Sequence, residues 1–302
     1  MKLRTAESDS QSADNSGDVV IPRAFPPSPS ARDDTAERPF AGDTASFYTR
    51  YRRDYPSELV TRLLERCNRR SCLLDLGCGT GKLLLQLAGH FEHAVGIDPE
   101  PDMLREGARA ALERGINNVE WVSGSSDDLP ELVSDCRRFD LVTIGTAFHY
   151  MEASATLGAL KQIAAGGAFA CAYNGSPIWL HAEPWSQRVR SVLEARLGRL
   201  SDVDFTIETL SAAEATMREL DFTGIERWER SYVETIDVDY IVGHLLSATS
   251  VEQIPPNQRQ SFAEEVRRAI AAVAPSGKVA ETVPVRAVIG HINHKRPKRE
   301  AI

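Results

Sequence analysis

The residue pattern predicts an α/β fold, a mostly parallel sheet carrying helices on both faces. Three observations predict it. Short apolar runs alternate with helical runs through residues 72–173. The first apolar run stops at a glycine cluster that opens at once into a helix. The composition, 302 residues with 42% hydrophobic and 26% charged, is that of an ordinary soluble chain large enough for a substantial core.

The elements follow in order. Residues 1–38 are rich in Ser, Asp, Ala and Pro, and IPRAFPPSPS places four prolines in ten residues. Such a segment buries too little apolar area to offset its ordering entropy, so a disordered tail is expected. A segment that folds onto a partner is the alternative, with Val19, Val20, Ile21 and Phe25 as its handles. Residues 40–67 read as helical pieces broken at Pro56, with Ser57 as N-cap of the second. Strands are expected over 72–76, 93–98, 118–123, 139–145 and 168–173, and helices over 82–88, 99–115 and 154–164, the last ended by Gly166 and Gly167. The β-branched residues of 139–145 suit a strand covered on both faces. Helices are expected over 184–200, with Pro184 in the first turn, and over 211–220, 239–249 and 258–274. Residues 224–237 alternate like a strand. A last strand is expected over 278–292, where Pro284 confines pairing to an edge or a bulge, before a basic tail over 293–302.

Charge and cysteine usage narrow the function. The formal charge of −8 disfavours sequence-independent nucleic-acid binding, which relies on phosphate neutralisation. Cys67, Cys72, Cys78, Cys136 and Cys171 form no CxxC pair and read as free thiols of a reducing compartment. His90-x-x-His93 and His291-x-x-His294 lack a third ligand, so no metal is expected. No apolar run reaches the roughly 20 residues of a membrane span, and the N-terminus lacks a signal-peptide h-region. A cytoplasmic chain without a membrane or nucleic-acid partner is the expectation, compatible with a homodimer.

The chemistry sits in Leu73-Leu74-Asp75-Leu76-Gly77-Cys78-Gly79-Thr80-Gly81. Glycines between a strand and a helix let backbone approach a ligand without Cβ atoms in the way. The dinucleotide fingerprint G-x-G-x-x-G fails because Lys82 occupies its third glycine position. The P-loop fails at Leu76, where its first glycine belongs, and at Leu83, where it needs Ser or Thr. The remaining pattern, D-x-G-x-G-x-G, resembles motif I of the class I S-adenosylmethionine-dependent methyltransferases.

Flanking segments extend the resemblance over about residues 40–175. Val95-Gly96-Ile97-Asp98, followed by Pro99 and then Met103-Leu104, is similar to the family's second-strand motif. A carboxylate at that strand end can take both ribose hydroxyls. Gly124-Ser125-Ser126-Asp127-Asp128-Leu129-Pro130 is similar to the family's adenine loop, with Ser125 in place of the usual Asp. Phe139–Gly145 running into Thr146-Ala147-Phe148-His149-Tyr150-Met151 resembles its fourth strand and the turn beyond. Tyr48-Thr-Arg-Tyr51-Arg52-Arg53-Asp54-Tyr55-Pro56 resembles a segment that lies over the cofactor, although Arg53 replaces the usual Pro. A weaker likeness beyond residue 175 resembles a bacterial small-molecule branch, similar to the ubiquinone/menaquinone and trans-aconitate methyltransferases.

The resemblance implies a Rossmann-like, seven-stranded, mostly parallel sheet with an antiparallel edge hairpin. Residues 39–175 would form the S-adenosylmethionine-binding core, and 176–292 would add cap helices and strands to the same domain. It implies cofactor contacts at Tyr48, Arg52, Asp75, Gly77, Gly79, Gly81, Asp98, Pro99, Met103, Ser125, Ser126, Asp127 and Thr146. Asp75 would orient the glycine loop and the methionine amino group, and Arg52 and Tyr48 would take its carboxylate. His149, at the carboxyl edge of the sheet, is the candidate general base, with packing or substrate positioning as its other role. Tyr150, Trp179 and Trp185 are candidates for lining a substrate pocket, with core packing as the competing role for the tryptophans. Methyl transfer to an O, C or N atom of a small metabolite, within secondary metabolism, is the expected function. RNA or protein methylation, or a non-methylating protein on the same fold, stays open.

Overall fold

The computed structural model describes residues 43–129, 138–248 and 254–293. The tail expected over 1–38, Pro130, Cys136, His294 and the rest of the basic C-terminal segment lie outside these residues. The described residues open with α1 (Asp43–Tyr51) and α2 (Ser57–Glu65). It continues through β1 (Cys72–Leu76), α3 (Leu84–Ala88), β2 (His93–Asp98), α4 (Pro101–Glu113) and β3 (Val119–Ser123). Then come β4 (Leu141–Gly145), α5 (Ala153–Ile163) and β5 (Ala168–Asn174). The second half holds α6 (Pro184–Leu197), α7 (Phe205–Glu219), β6 (Thr223–Asp237), α8 (Val238–Leu246), α9 (Arg259–Ala271) and β7 (Lys278–His291).

The seven strands make one sheet in the order β3-β2-β1-β4-β5-β7-β6. β1 to β5 run parallel, and β7 enters antiparallel between β5 and β6. The expected Rossmann-like sheet with its antiparallel hairpin is therefore present. Strand order reverses between β1 and β4, and ligands of open α/β sheets bind in the crevice at the carboxyl ends of such strands.

Alternation along β1 separates two cores. Leu73 packs with α2, α3 and α4 on one face, while Cys72, Leu74 and Leu76 pack with α5 and α7 on the other. Both faces of β1, β4 and β5 are covered, which is why these strands read as continuous apolar runs. A third core forms where α6, α8 and α9 close over Ile236 of β6 and Val279 of β7. This is the cap.

Local differences from expectation have local causes. Ser57 does not cap α2: Pro56 is the cap residue at φ −65° and ψ 147°, and the Ser57 hydroxyl turns to Glu58 (3.2 Å). The helix expected from Lys82 begins at Leu84, because Gly81 is left-handed at φ +78°. α7 begins at Phe205 instead of 211, because Asp204 caps it by accepting from the Thr206 N–H (3.0 Å). Pro284 lies inside an interior strand, yet without loss. β5 pairing ends at Asn174↔Val285, and the Pro284 carbonyl accepts from the Gly175 N–H (2.8 Å), so the ring faces the open end beyond β5 and interrupts no bond to β6.

Candidate functional site

The site grows from the carboxyl ends of β1, β2 and β4. Behind β1 the chain turns through Gly77, Gly79 and Gly81, all left-handed at φ +68°, +53° and +78°. A Cβ on Gly77 would come within 2.6 Å of the Ala147 Cβ, so only glycine lets the loop lie this close to the turn after β4. The N–H groups of Gly77 and Cys78 donate to the Ile97 carbonyl (2.8 and 3.0 Å), clamping the loop to β2.

Two buried carboxylates face this loop. Asp98 accepts from the Gly79 N–H through Oδ2 (2.8 Å) and from the Glu100 N–H through Oδ1 (2.9 Å). A carboxylate has about four lone-pair sites, so two remain for a ligand. Burial pushes Asp98 up to about 6 despite those two N–H donors. Asp75 is 1% exposed and accepts from the Thr143 hydroxyl (2.7 Å). Burial raises it to about 7, against that hydrogen bond and with help from the Asp98 charge. Thr80 Oγ1, in the same loop, is buried without a partner.

The loop, the strand ends and the cap enclose a cavity of about 500 Å³ including its open mouth. Its walls include Asp75 and Cys78 below, Gly145 and Thr146 at the end of β4, and Tyr48, Arg52 and His244 from the cap side. Thr146 is left-handed at φ +55°, a strained state for a β-branched residue. It is held by its N–H to the Ala172 carbonyl (2.8 Å) and by its hydroxyl against the Tyr55 hydroxyl (2.9 Å). Arg52 stacks over the Tyr48 ring (5.2 Å) and donates from Nε to the Ser247 hydroxyl (2.9 Å), which ties α1 to the end of α8.

A reversed strand order, a glycine loop and two desolvated carboxylates are shared by many nucleotide binders; the family comparison separates them. The family model for the methyltransferase domain matches residues 73–166, from β1 to the turn before β5. Residues 73–166 are thus similar to a methyltransferase domain. An uncharacterized methyltransferase of Mycobacterium tuberculosis is 31% identical over 122 residues, covering 40% of this chain and 46% of that protein. The demethylmenaquinone methyltransferase of Listeria monocytogenes is 29% identical over 124 residues, 39% of this chain and 50% of that one. The chain thus spans half the length or less of these curated relatives. A solved protein of Anaeromyxobacter dehalogenans, proposed to be a type II methyltransferase, superposes with a TM-score of 0.58 at 22% identity. It covers 81% of this chain and 99% of that one, a likeness of fold.

The structure separates the expected residues. Tyr48, Arg52, Asp75 and Thr146 line the cavity, and Asp98 meets the loop at Gly79. Pro99 follows β2, and Met103 is buried in α4. Ser125 caps the short turn of Ser126, Asp127 and Asp128: its hydroxyl donates to Asp128 Oδ2 (2.9 Å) and accepts from the Asp127 N–H (3.2 Å). His149 and Tyr150 stand beside the cavity and do not belong to its walls. His149 Nδ1 lies 3.0 Å from the Tyr173 hydroxyl, and its ring packs against Tyr150 and Phe205. That packing and the Arg52 charge lower His149 to about 4, so its imidazole is neutral at pH 7. Trp185 is buried in the cap core with Nε1 donating to the Ala280 carbonyl (3.0 Å), and Trp179 packs on the same core.

Sequence reading passed over Thr143, Tyr55, Asn174, Arg53 and His244. Thr143 is the polar residue in an otherwise apolar strand, which was a usable signal. Tyr55 and Arg53 sit in the recognised segment after α1. Asn174 and His244 carry no local motif; Asn174 reaches the cavity from the end of β5, and His244 from α8 of the cap.

Proposed function

We propose that this chain transfers the methyl group of S-adenosylmethionine to an O, C or N atom of a small-molecule metabolite. The observation that carries the reading is the pair of buried carboxylates beside the glycine loop, Asp75 of β1 lining the cavity and Asp98 at the end of β2 bonded to Gly79. Asp98 keeps lone pairs for a ribose diol, and Thr80 Oγ1 is a buried polar atom without a partner, so the residues present fit this cofactor. When bound, S-adenosylmethionine supplies an electrophilic methyl on a sulfonium sulfur.

The protein's own part is placement. Asp98 holds the ribose, Asp75 and the loop hold the ammonium end, and Arg52 with Tyr48 takes the carboxylate. Holding nucleophile and methyl carbon near 3–3.5 Å can supply about 7–11 kcal/mol of the barrier. The cap excludes water from the enclosed charges. His149, neutral and weakly basic, acts in this reading as a hydrogen-bond acceptor beside the site, since a good general base has its pKa near the working pH. A small acceptor suits a cavity lined by residues of α1, α8 and the strand ends. The net charge of −8 favours a metabolite over a nucleic acid as acceptor. Among the described residues no helix is long and apolar enough to cross a membrane.

Calorimetric titration with S-adenosylmethionine, with NAD as control, tests the cofactor. One-site binding is expected, weakened about 10- to 100-fold in Asp98→Ala by loss of charged hydrogen bonds. Binding of NAD instead overturns the reading. Incubation with labelled cofactor and fractionated metabolite extracts then reads the acceptor.

A further inference from the structure

Two side chains that line the cavity each carry a buried polar atom without a hydrogen-bond partner in the protein. His244 Nδ1, from α8, and Asn174 Oδ1, at the end of β5, are buried without a hydrogen-bond partner, and both residues line the wall between the cap and the strand ends. A buried polar group left unpaired costs about 1–3 kcal/mol, so two in one cavity mark the place of a missing partner.

Both atoms are acceptors. Asn174 Nδ2 donates to the Asp54 carbonyl (2.8 Å), which fixes the amide with Oδ1 as the free end. The His244 ring meets the Tyr51 backbone in a hydrogen bond while Nδ1 stays unpartnered, so its other nitrogen carries the proton and Nδ1 the lone pair. Burial and the charges of Arg52 and Arg53 keep that ring neutral. Arg53 does not compete for a ligand's donors or supply a free charge: it is paired with Glu234 (2.7 Å) and with Glu281, and it lies over the Tyr240 ring. Tyr240 OH is also buried without a partner, with its ring 5.9 Å from that of His244.

We infer that His244 Nδ1 and Asn174 Oδ1 form the acceptor subsite, and that it takes a small polar nucleophile presenting O–H or N–H donors, not an apolar ring carbon. This rests on the proposed function, because it places the subsite at the methyl end of the same cavity. The same cavity is lined by Asp75, Arg52 and Tyr48, assigned above to the methionine end of the cofactor. An amine or hydroxyl donating to either atom would be held with a lone pair left to attack the methyl carbon.

Sinefungin tests this without a known acceptor. It carries a primary amine where the sulfonium carries its methyl, so it sends N–H donors into the acceptor subsite. Kd values for sinefungin and S-adenosylhomocysteine are measured by calorimetry on the full chain, for wild type, His244→Leu, Asn174→Leu and His244→Asn. Wild type is expected to prefer sinefungin about tenfold or more, a preference cut to a few-fold or less by either leucine substitution. His244→Asn, whose amide oxygen can stand near the Nδ1 position, should keep most of it. An unchanged S-adenosylhomocysteine Kd shows that each variant is folded. Equal weakening of both ligands would overturn the inference, because the two atoms would then hold the cofactor itself. Absence of a preference in wild type, or its persistence in both leucine variants, would also overturn it. Failure of both ligands to bind wild type would remove the cofactor reading, and the subsite with it.

Discussion

Asp75 is where burial and charge conflict most sharply. Its carboxyl is 1% exposed and is pushed up to about 7, so ionising it costs the folded state free energy that the unfolded chain does not lose. The sign follows from linkage: the stability it contributes is fully present below pH ~4 and is lost as pH rises through about 7. His149, lowered to about 4, acts in the opposite direction across the acid range and masks this in wild type alone. A comparison with Asp75→Asn cancels the histidines, since the amide oxygen can still accept from Thr143. The variant should gain on wild type by about 2–3 kcal/mol between pH 5 and pH 8. Urea unfolding at the two pH values reads this, and a constant difference would mean that Asp75 ionises normally. At this scale the sequence was most legible where chemistry is local: Asp75, Asp98 and the three glycines lie within two short motifs. His244 and Asn174 were not legible, because a lone histidine in an apolar helix and a strand-end asparagine look the same whether or not they face a cavity.

α1 and α8 meet over the cavity, and their contact depends on a single small residue. A Cβ on Gly243 would lie 2.2 Å from the Tyr51 ring, inside any tolerable contact. Gly243→Ala should therefore force α1 away from α8. Since α1 and the turn after it carry Tyr48 and Arg52, the variant should lose about 1–3 kcal/mol of stability and weaken cofactor binding together. Thermal unfolding with an S-adenosylhomocysteine titration checks both, and a loss of stability with unchanged affinity would separate α1 from the cofactor. Element types were well marked by periodicity, since both covered faces of the parallel strands force near-continuous apolar runs. Element ends were less so. α7 began at Phe205 because Asp204 caps it, and α2 took Pro56 as its cap in place of the expected Ser57.

The sheet binds the two halves of the chain together. β7 pairs with β5 along seven residues, Ala168–Asn174, and with β6 on its other side. A chain ending after Gly175 would keep the whole family-matched segment, 73–166, yet leave β5 with an unpaired edge and the apolar residues under α7 uncovered. Such a fragment should aggregate or lack cooperative unfolding, as light scattering and calorimetry would show. A soluble fragment with a sharp transition would mean that β6, β7 and the cap are an accessory to a self-sufficient core.

The sequence by itself determined the α/β class, the position of the glycine loop and the two carboxylates on it. These follow from short-range pattern, because strand alternation, turn glycines and strand-end acids act within a few residues of one another. Tertiary structure decided which side chains face the cavity. It buried Trp185 in the cap core with its N–H satisfied, set His149 beside the cavity, and brought His244 and Asn174 to its wall. Those outcomes depend on how α1, α6, α8 and α9 pack over β6 and β7, long-range contacts that leave no periodic trace in the chain.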